Sequence, residues 1–333
     1  MAENNFRCLL AEKNLSEVKL QERTLPMDRL PDGEVLIDVH YSSLNYKDAL
    51  AATGNPGVAK TLPHVPGIDA AGEVLESASD AVRVGDNVLV TGYDLGQGHW
   101  GGWSERIRIP AAWVVRLPAE LSPRDAMIYG TAGFTAAQCV LALRRNDLNN
   151  DAGEVVVTGA TGGVGSLAVM LLAQLGYQVV AVSGKEQLKQ KLLDWGACRV
   201  LHRQELIEES NRPMLSARWA GGVDTVGGNM LATLLRSTKY GGSVAACGLV
   251  AGSQLDMSLY PFLLRGVTLC GIASADCPRD KRLIIWDLLS DSWRIPELEK
   301  LVSEVSLAQV PDKVSDILDG KIVGRVLINV KAK

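Results

Sequence analysis

The sequence predicts an α/β protein in two parts, a β-rich domain and a doubly wound parallel-sheet domain. Three observations carry this. The chain of 333 residues is about twice the length of one ordinary domain. Its first third reads as short strands broken by turns. From about Pro123 onward, strands alternate with helices, which is the rhythm of a parallel sheet.

Taken in order, residues 34–41, 71–75, 86–90 and 103–109 alternate apolar with polar side chains or carry β-branched ones. Pro-Asp-Gly, Val-Gly-Asp and Gly-Gly turns separate them. A helix over 126–143 opens the second part, followed by a strand at 154–157, a glycine turn and a helix over 166–175. Further strands are expected at 178–182, 199–201, 223–226, 243–247 and 267–272. The tail 322–330 returns to strand character and rejoins the first domain. The domains are therefore 1–125 plus about 300–333, and 126–299.

Composition excludes several functions. Hydrophobic residues at 47% and charged residues at 22% describe a soluble globular chain. A net charge of -4 offers no electrostatic footprint for nucleic acid. The start, Met1-Ala-Glu-Asn-Asn-Phe-Arg-Cys8, has no basic region leading into an apolar core, and no apolar run approaches the roughly 18 residues of a membrane span. The expectation is a cytoplasmic protein with a small-molecule substrate and neither a membrane nor a nucleic-acid partner. Cys8, Cys139, Cys198, Cys247, Cys270 and Cys277 are scattered without a C-x-x-C pair, so most read as core thiols. His40, His64, His99 and His202 show no metal-ligand spacing.

The glycine turn, Thr158-Gly-Ala-Thr-Gly-Gly-Val-Gly165, lies between a strand and a helix, the context in which such glycines hold a pyrophosphate. Gly162 permits close backbone approach and Gly165 close helix-to-strand packing, with Ala160 replacing the first glycine. Ala160, Thr161, Gly162, Gly163 and Val164 form the cradle. At the end of the next strand, where a free ribose hydroxyl calls for an acid, stand Ser183, Gly184 and Lys185. Ser183 can hydrogen-bond a 2′-phosphate, Lys185 neutralises it and Arg203 closes the cluster. The expected cofactor is NADPH.

Beyond these motifs, the chain resembles the medium-chain dehydrogenase/reductase superfamily, in the zinc-free, quinone-oxidoreductase-like branch that includes acrylyl-CoA reductases. The resemblance rests on Ser42-Ser-Leu-Asn-Tyr-Lys-Asp-Ala-Leu50, Pro66-Gly-Ile-Asp-Ala-Ala-Gly72, His99-Trp-Gly-Gly102, Gly130-Thr-Ala-Gly-Phe-Thr135, Thr158 to Gly165, Ala181-Val-Ser-Gly184 and Ala245-Ala-Cys-Gly-Leu249. It implies a GroES-like catalytic domain beside a Rossmann NADPH-binding domain. Where the superfamily's zinc enzymes place a Cys, a His and a second Cys, this chain has Asn45, Ile68 and Ile128, so no metal is expected.

The implied reaction is NADPH-dependent reduction of the activated C=C bond of a short enoyl-CoA, most specifically acrylyl-CoA to propionyl-CoA. By resemblance Tyr46 lines the nicotinamide pocket, where it positions the ring, donates to the enolate oxygen or relays the proton. Asn45 offers an amide to the thioester carbonyl. Arg325 contacts a CoA phosphate or the carbonyl, or makes a structural salt bridge. Thr131, Leu249 and Ser274 fall where the family's chain passes the nicotinamide. Lys47 and Asp48 read as an ion pair fixing the loop, Asp69 as a structural acceptor, His64 as structural and His99 as a candidate near the substrate. The alternatives are an NADPH:quinone oxidoreductase and a non-catalytic NADPH-binding protein. The family pattern also implies a homodimer, with 267–272 as its edge strand.

Overall fold

The chain opens with a hairpin that hydrophobic periodicity did not reveal. Strand β1 (Asn5–Asn14) pairs antiparallel with β2 (Glu17–Pro26). β1 buries Phe6, Cys8, Leu9 and Leu10, whereas β2 is charged and largely exposed, so tertiary pairing rather than pattern makes it a strand. The structure, a computed structural model, describes residues 4–15 and 17–332. The reading of the extreme N-terminus as lacking a leader falls partly on residues 1–3, outside the described residues.

After the hairpin come β3 (Val35–Leu44), helix α1 (Tyr46–Ala52), β4 (Asp69–Ser77), β5 (Asn87–Thr91), β6 (Arg106–Ile109) and β7 (Val115–Arg116). Each expected strand is present, shifted by one to three residues. Inward Val35, Ile37 and Val39 of β3 pack with Val74, Val88, Val90, Ile107 and Ile109, all buried, in one apolar core. Burying each such side chain is worth about 1.5–3 kcal/mol.

Helix α2 (Pro123–Arg145) runs through a break at Gly130, which has φ 49° and ψ -155°. By length and composition it could cross a membrane, contrary to the expectation that no apolar run is long enough. Its apolar window is 78% buried within the fold. Then come β8 (Val155–Val157), helix α3 (Gly163–Gln174), β9 (Val179–Ser183), β10 (Arg199–His202), β11 (Trp219–Asp224), β12 (Thr238–Ala246) and β13 (Thr268–Gly271). These strands form a six-stranded sheet in the order β10-β9-β8-β11-β12-β13. Every pairing is parallel, and the order reverses beside β8, as a doubly wound sheet requires. β11 and β12 begin four and five residues before their expected starts because glycines read as turn signals. At Gly221 a Cβ would lie 2.6 Å from the Ser243 carbonyl oxygen, so close strand approach explains that glycine.

The chain ends with β14 (Val302–Ser306) and β15 (Arg325–Asn329), parallel to each other. β15 pairs antiparallel with β3, placing Val326 opposite Leu44. Two compact units result. Met1–Thr131, Ala275–Ser290 and Leu301–Lys333 form the first, and Ala132–Ser274 with Asp291–Lys300 the second. Segment 275–290, placed in the second domain on sequence grounds, belongs to the first unit. There the fully buried Arg282 donates to the Thr91 carbonyl at 2.7 Å.

Candidate functional site

In the second unit the glycine turn joins β8 to α3. Thr158 N–H reaches across to the Val223 carbonyl, and Ala160 N–H to that of Val182, so the loop is tied to both neighbouring strands. The left-handed residue is Gly159, with φ 59°, where a Cβ would fall 2.3 Å from Thr225 Oγ1. It takes the tight-turn role that the motif gives to its first glycine, which is why an alanine is accepted at 160. Its adjacency to Ala160 was a signal in the sequence that the motif spacing concealed.

Gly165 must also be glycine, since a Cβ there would meet the Gly159 carbonyl oxygen at 2.2 Å. Gly162 differs from both. It caps α3 with no side-chain hydrogen bond, and the nearest atom to an added Cβ is 3.4 Å away. An anion can therefore approach its backbone, and the first amides of α3 carry the positive end of the helix dipole. Ala160, Thr161, Gly163 and Val164 line the same turn.

Arg203 lies beside Gly184 for a reason rooted in register. β10 pairs with β9 so that His202 lies opposite Ser183, which puts Arg203 beside Gly184. A Cβ on Gly184 would meet Arg203 Nε at 3.0 Å and Cζ at 3.2 Å, so the guanidinium lies across the glycine. Ser183 Oγ accepts from Lys185 N–H at 3.0 Å, leaving its proton to donate. Burial lowers the Lys185 pKa, an effect that a bound phosphate would oppose. The group fits the phosphate of NADPH. Leu249 follows β12 and is 65% exposed, and Ser274 ends the longer segment of this unit.

In the first unit the catalytic candidates gather at the head of α1. Asn45 caps the helix, and Asp48 accepts from its N–H, closing a capping box. The Asn-x-x-Asp spacing was the sequence signal for this. Lys47 and Asp48 do not form the expected ion pair, because adjacent helical residues point in different directions. Asp48 turns inward instead, fully buried, and accepts from Ile68 N–H at 2.7 Å. Burial first, and the Asp69 charge second, push its pKa up to about 7.

Asp69 is the structural acceptor expected at the start of β4. It takes hydrogen bonds from Ser43 Oγ at 2.6 Å, Asn45 Nδ2 at 2.8 Å, Thr131 N–H at 2.9 Å and Thr131 Oγ1 at 2.6 Å. The break at Gly130 allows this approach, since a Cβ there would stand 2.5 Å from Asp69 Oδ2.

Two site expectations are revised. Asn45 does not offer a spare amide to a carbonyl. Its Nδ2 is shared among Asp48, Asp69 and Ser43, and its Oδ1 accepts from Arg325 Nη1 at 3.2 Å. Arg325 is 2% exposed and donates to the Ile128 and Leu44 carbonyls, so it is out of reach of a CoA phosphate. Burial lowers its pKa, while Asp69 and Asp48 act in the opposite direction. Tyr46, by contrast, is 50% exposed beside this buried network.

The set does not suit zinc. Ile68 and Ile128 are apolar and buried, Asn45 is fully engaged, and a guanidinium already supplies the local positive charge. His99 is not poised as a base, because both ring nitrogens face carbonyl oxygens, those of Trp100 and Asp32. His64 is buried, its backbone pairs with Ala11, and burial lowers its pKa, in keeping with a structural role.

Comparison with known proteins agrees with this architecture. A family profile described as "Alcohol dehydrogenase GroES-like domain" matches residues 31–119, and one described as "Zinc-binding dehydrogenase" matches 163–291. The acrylyl-CoA reductase AcuI of Ruegeria pomeroyi is 44% identical over 98% of this chain and 100% of its own. The crystal structure of Escherichia coli YhdH with bound NADPH is 45% identical, with a TM-score of 0.93, covering 97% of this chain and 100% of that one. The structure of Bacillus subtilis yhfP with NAD bound is 43% identical, with a TM-score of 0.96, covering 98% and 99%, and that relative is named for quinone oxidoreduction.

Proposed function

The chain belongs to the medium-chain dehydrogenase/reductase superfamily, and from that premise we propose that it reduces the activated C=C bond of a short enoyl-CoA with NADPH, converting acrylyl-CoA to propionyl-CoA. The observation that carries this reading is the head of α1, where Asn45, Ile68 and Ile128 are not a set that suits a metal. There Tyr46 is half exposed, while its neighbour Asn45 is locked in a network with Asp48, Asp69 and Arg325.

In an enoyl thioester the carbonyl makes Cβ electrophilic. Bound NADPH supplies the hydride that adds there. The electron pair of the double bond then moves onto the thioester as an enolate, which needs a hydrogen-bond donor at oxygen and a proton at Cα. Tyr46 can provide either, because its hydroxyl is both donor and acceptor. Arg203 and Lys185 hold the 2′-phosphate, and Ser183 donates to it. Gly162, Gly163 and Val164 hold the pyrophosphate, while Leu249 and Ser274 line the nicotinamide end of the cofactor. Asn45 and Arg325 act from beneath, by positioning.

The test is the initial rate of NADPH oxidation with acrylyl-CoA, crotonyl-CoA and a benzoquinone in parallel. Turnover is expected with acrylyl-CoA above the other two. Oxidation confined to the quinone would replace the enoyl-CoA reading with quinone reduction, and no oxidation with any acceptor would favour a binding role alone.

A homodimer joined through β13 completes the proposal. β13 is the last strand of the parallel sheet, and the nearby short helix Tyr260–Arg265 leaves Leu263 75% and Leu264 59% exposed. An open edge beside an apolar surface favours a second copy of the same face. Sedimentation should give twice the chain mass, falling to one chain when Leu263→Glu and Leu264→Glu are combined. A monomeric parent chain would end this part of the reading.

A further inference from the structure

Asp48 is the one carboxylate of the candidate site whose partners all belong to the catalytic loop or its immediate support. Oδ1 accepts from Ile68 N–H at 2.7 Å, and Oδ2 accepts from Asn45 N–H at 2.8 Å and Asn45 Nδ2 at 3.0 Å. The same Nδ2 also donates to Asp69 Oδ2 at 2.8 Å, so a single amide bridges two buried carboxylates. The charged groups facing Asp48 are Asp69, from β4, and Arg325, from β15, whose Nη1 donates to Asn45 Oδ1. The two buried carboxylates thus share one amide, which itself accepts from the Arg325 guanidinium. Burial first, and the neighbouring Asp69 charge second, disfavour the ionised form of Asp48.

Helix α1 has seven residues, too few to be stable without support, and its first turn hangs on the bond from Asn45 N–H to Asp48. Tyr46 is the first residue of that turn. We propose that Asp48 is the positioning residue for Tyr46, holding the head of α1 in its working geometry while ionised and releasing it when protonated.

This follows from the donors around it. Among the described residues the hydrogen-bond partners of this carboxylate are three N–H groups, so a proton added to it weakens the bonds that fix the turn. Burial and the Asp69 charge place the change near pH 7, where the enzyme would feel it. The inference rests on the reading of Tyr46 as the working hydroxyl.

Two measurements test it. In the wild-type chain with ¹³C-labelled tyrosine rings, the Tyr46 resonance, identified by its loss in Tyr46→Phe, should shift with one-proton character between about pH 6 and 8. Asp48→Asn keeps the size but cannot ionise, and it turns one acceptor into an amide facing N–H donors. It should remove the shift, lower kcat at least about tenfold at pH 8, leave the KM for NADPH unchanged and abolish the acid limb of the rate profile.

A Tyr46 signal flat across that range, or an acid limb that persists unchanged in Asp48→Asn, overturns the proposal. If Asp48→Asn fails to fold, the wild-type resonance decides alone. The resonance needs no substrate, so a chain that oxidises no NADPH would sink the functional reading and leave this test standing.

Discussion

With Lys185 and Arg203 both replaced by alanine, kcat/KM for NADPH is expected to fall by at least about a hundredfold, while that for NADH changes by less than about threefold. The argument is local. Arg203 lies over Gly184, and Ser183 and Lys185 flank that glycine at the end of β9. A charge-assisted hydrogen bond to a phosphate contributes about 1.5–3 kcal/mol, so two lost cations remove about 3–6 kcal/mol from the one cofactor that carries the phosphate. NADH offers these side chains no anion, and the pyrophosphate cradle at Gly162 is untouched. The double variant should fold, because neither side chain belongs to the apolar core of this unit. Steady-state rates with both cofactors give the answer, and equal losses for the two would show that these residues do not read the 2′-phosphate.

Tyr46→Phe is expected to lower kcat by about a hundredfold or more with little change in the KM for NADPH. The substitution removes one oxygen atom from a ring that is half exposed, so neither packing nor the capping box of α1 is disturbed. If the hydroxyl stabilises or protonates the enolate, the loss falls on the chemical step. Measuring kcat with deuterated NADPH separates the cases. A larger isotope effect in the variant marks slowed chemistry, whereas an unchanged kcat reduces Tyr46 to a packing role.

Much of this architecture was legible in the chain. Val155–Val157 followed by a glycine turn and an apolar helix announces the nucleotide unit, because a buried parallel strand needs apolar residues on both faces and an anion cradle needs residues without side chains. The hairpin β1-β2 was not legible, since its outer strand is charged and gains its form only from pairing. The cation cluster could be read because Ser183, Gly184 and Lys185 are contiguous, and Arg203 follows the adjacent strand. The network under Tyr46 could not be. Asn45, Asp69, Thr131 and Arg325 are far apart in sequence, and their bonding depends on strand register and on one glycine with a positive φ. Family resemblance gave Asn45 a substrate role and left Arg325 open between substrate and a structural bridge, because a sequence does not display the hydrogen bonds that already engage both.

The return of the tail to the first sheet has a consequence for the order in which the protein can become competent. Arg325 donates to the Leu44 carbonyl across 281 positions of sequence, on a strand synthesised after every other strand described here. During translation the nucleotide unit has nearly all of its chain before β15 emerges. Until β15 is laid beside β3, Asn45 lacks the Arg325 guanidinium that donates to its Oδ1. A growing chain can therefore assemble its phosphate cradle well before the reductive centre is complete.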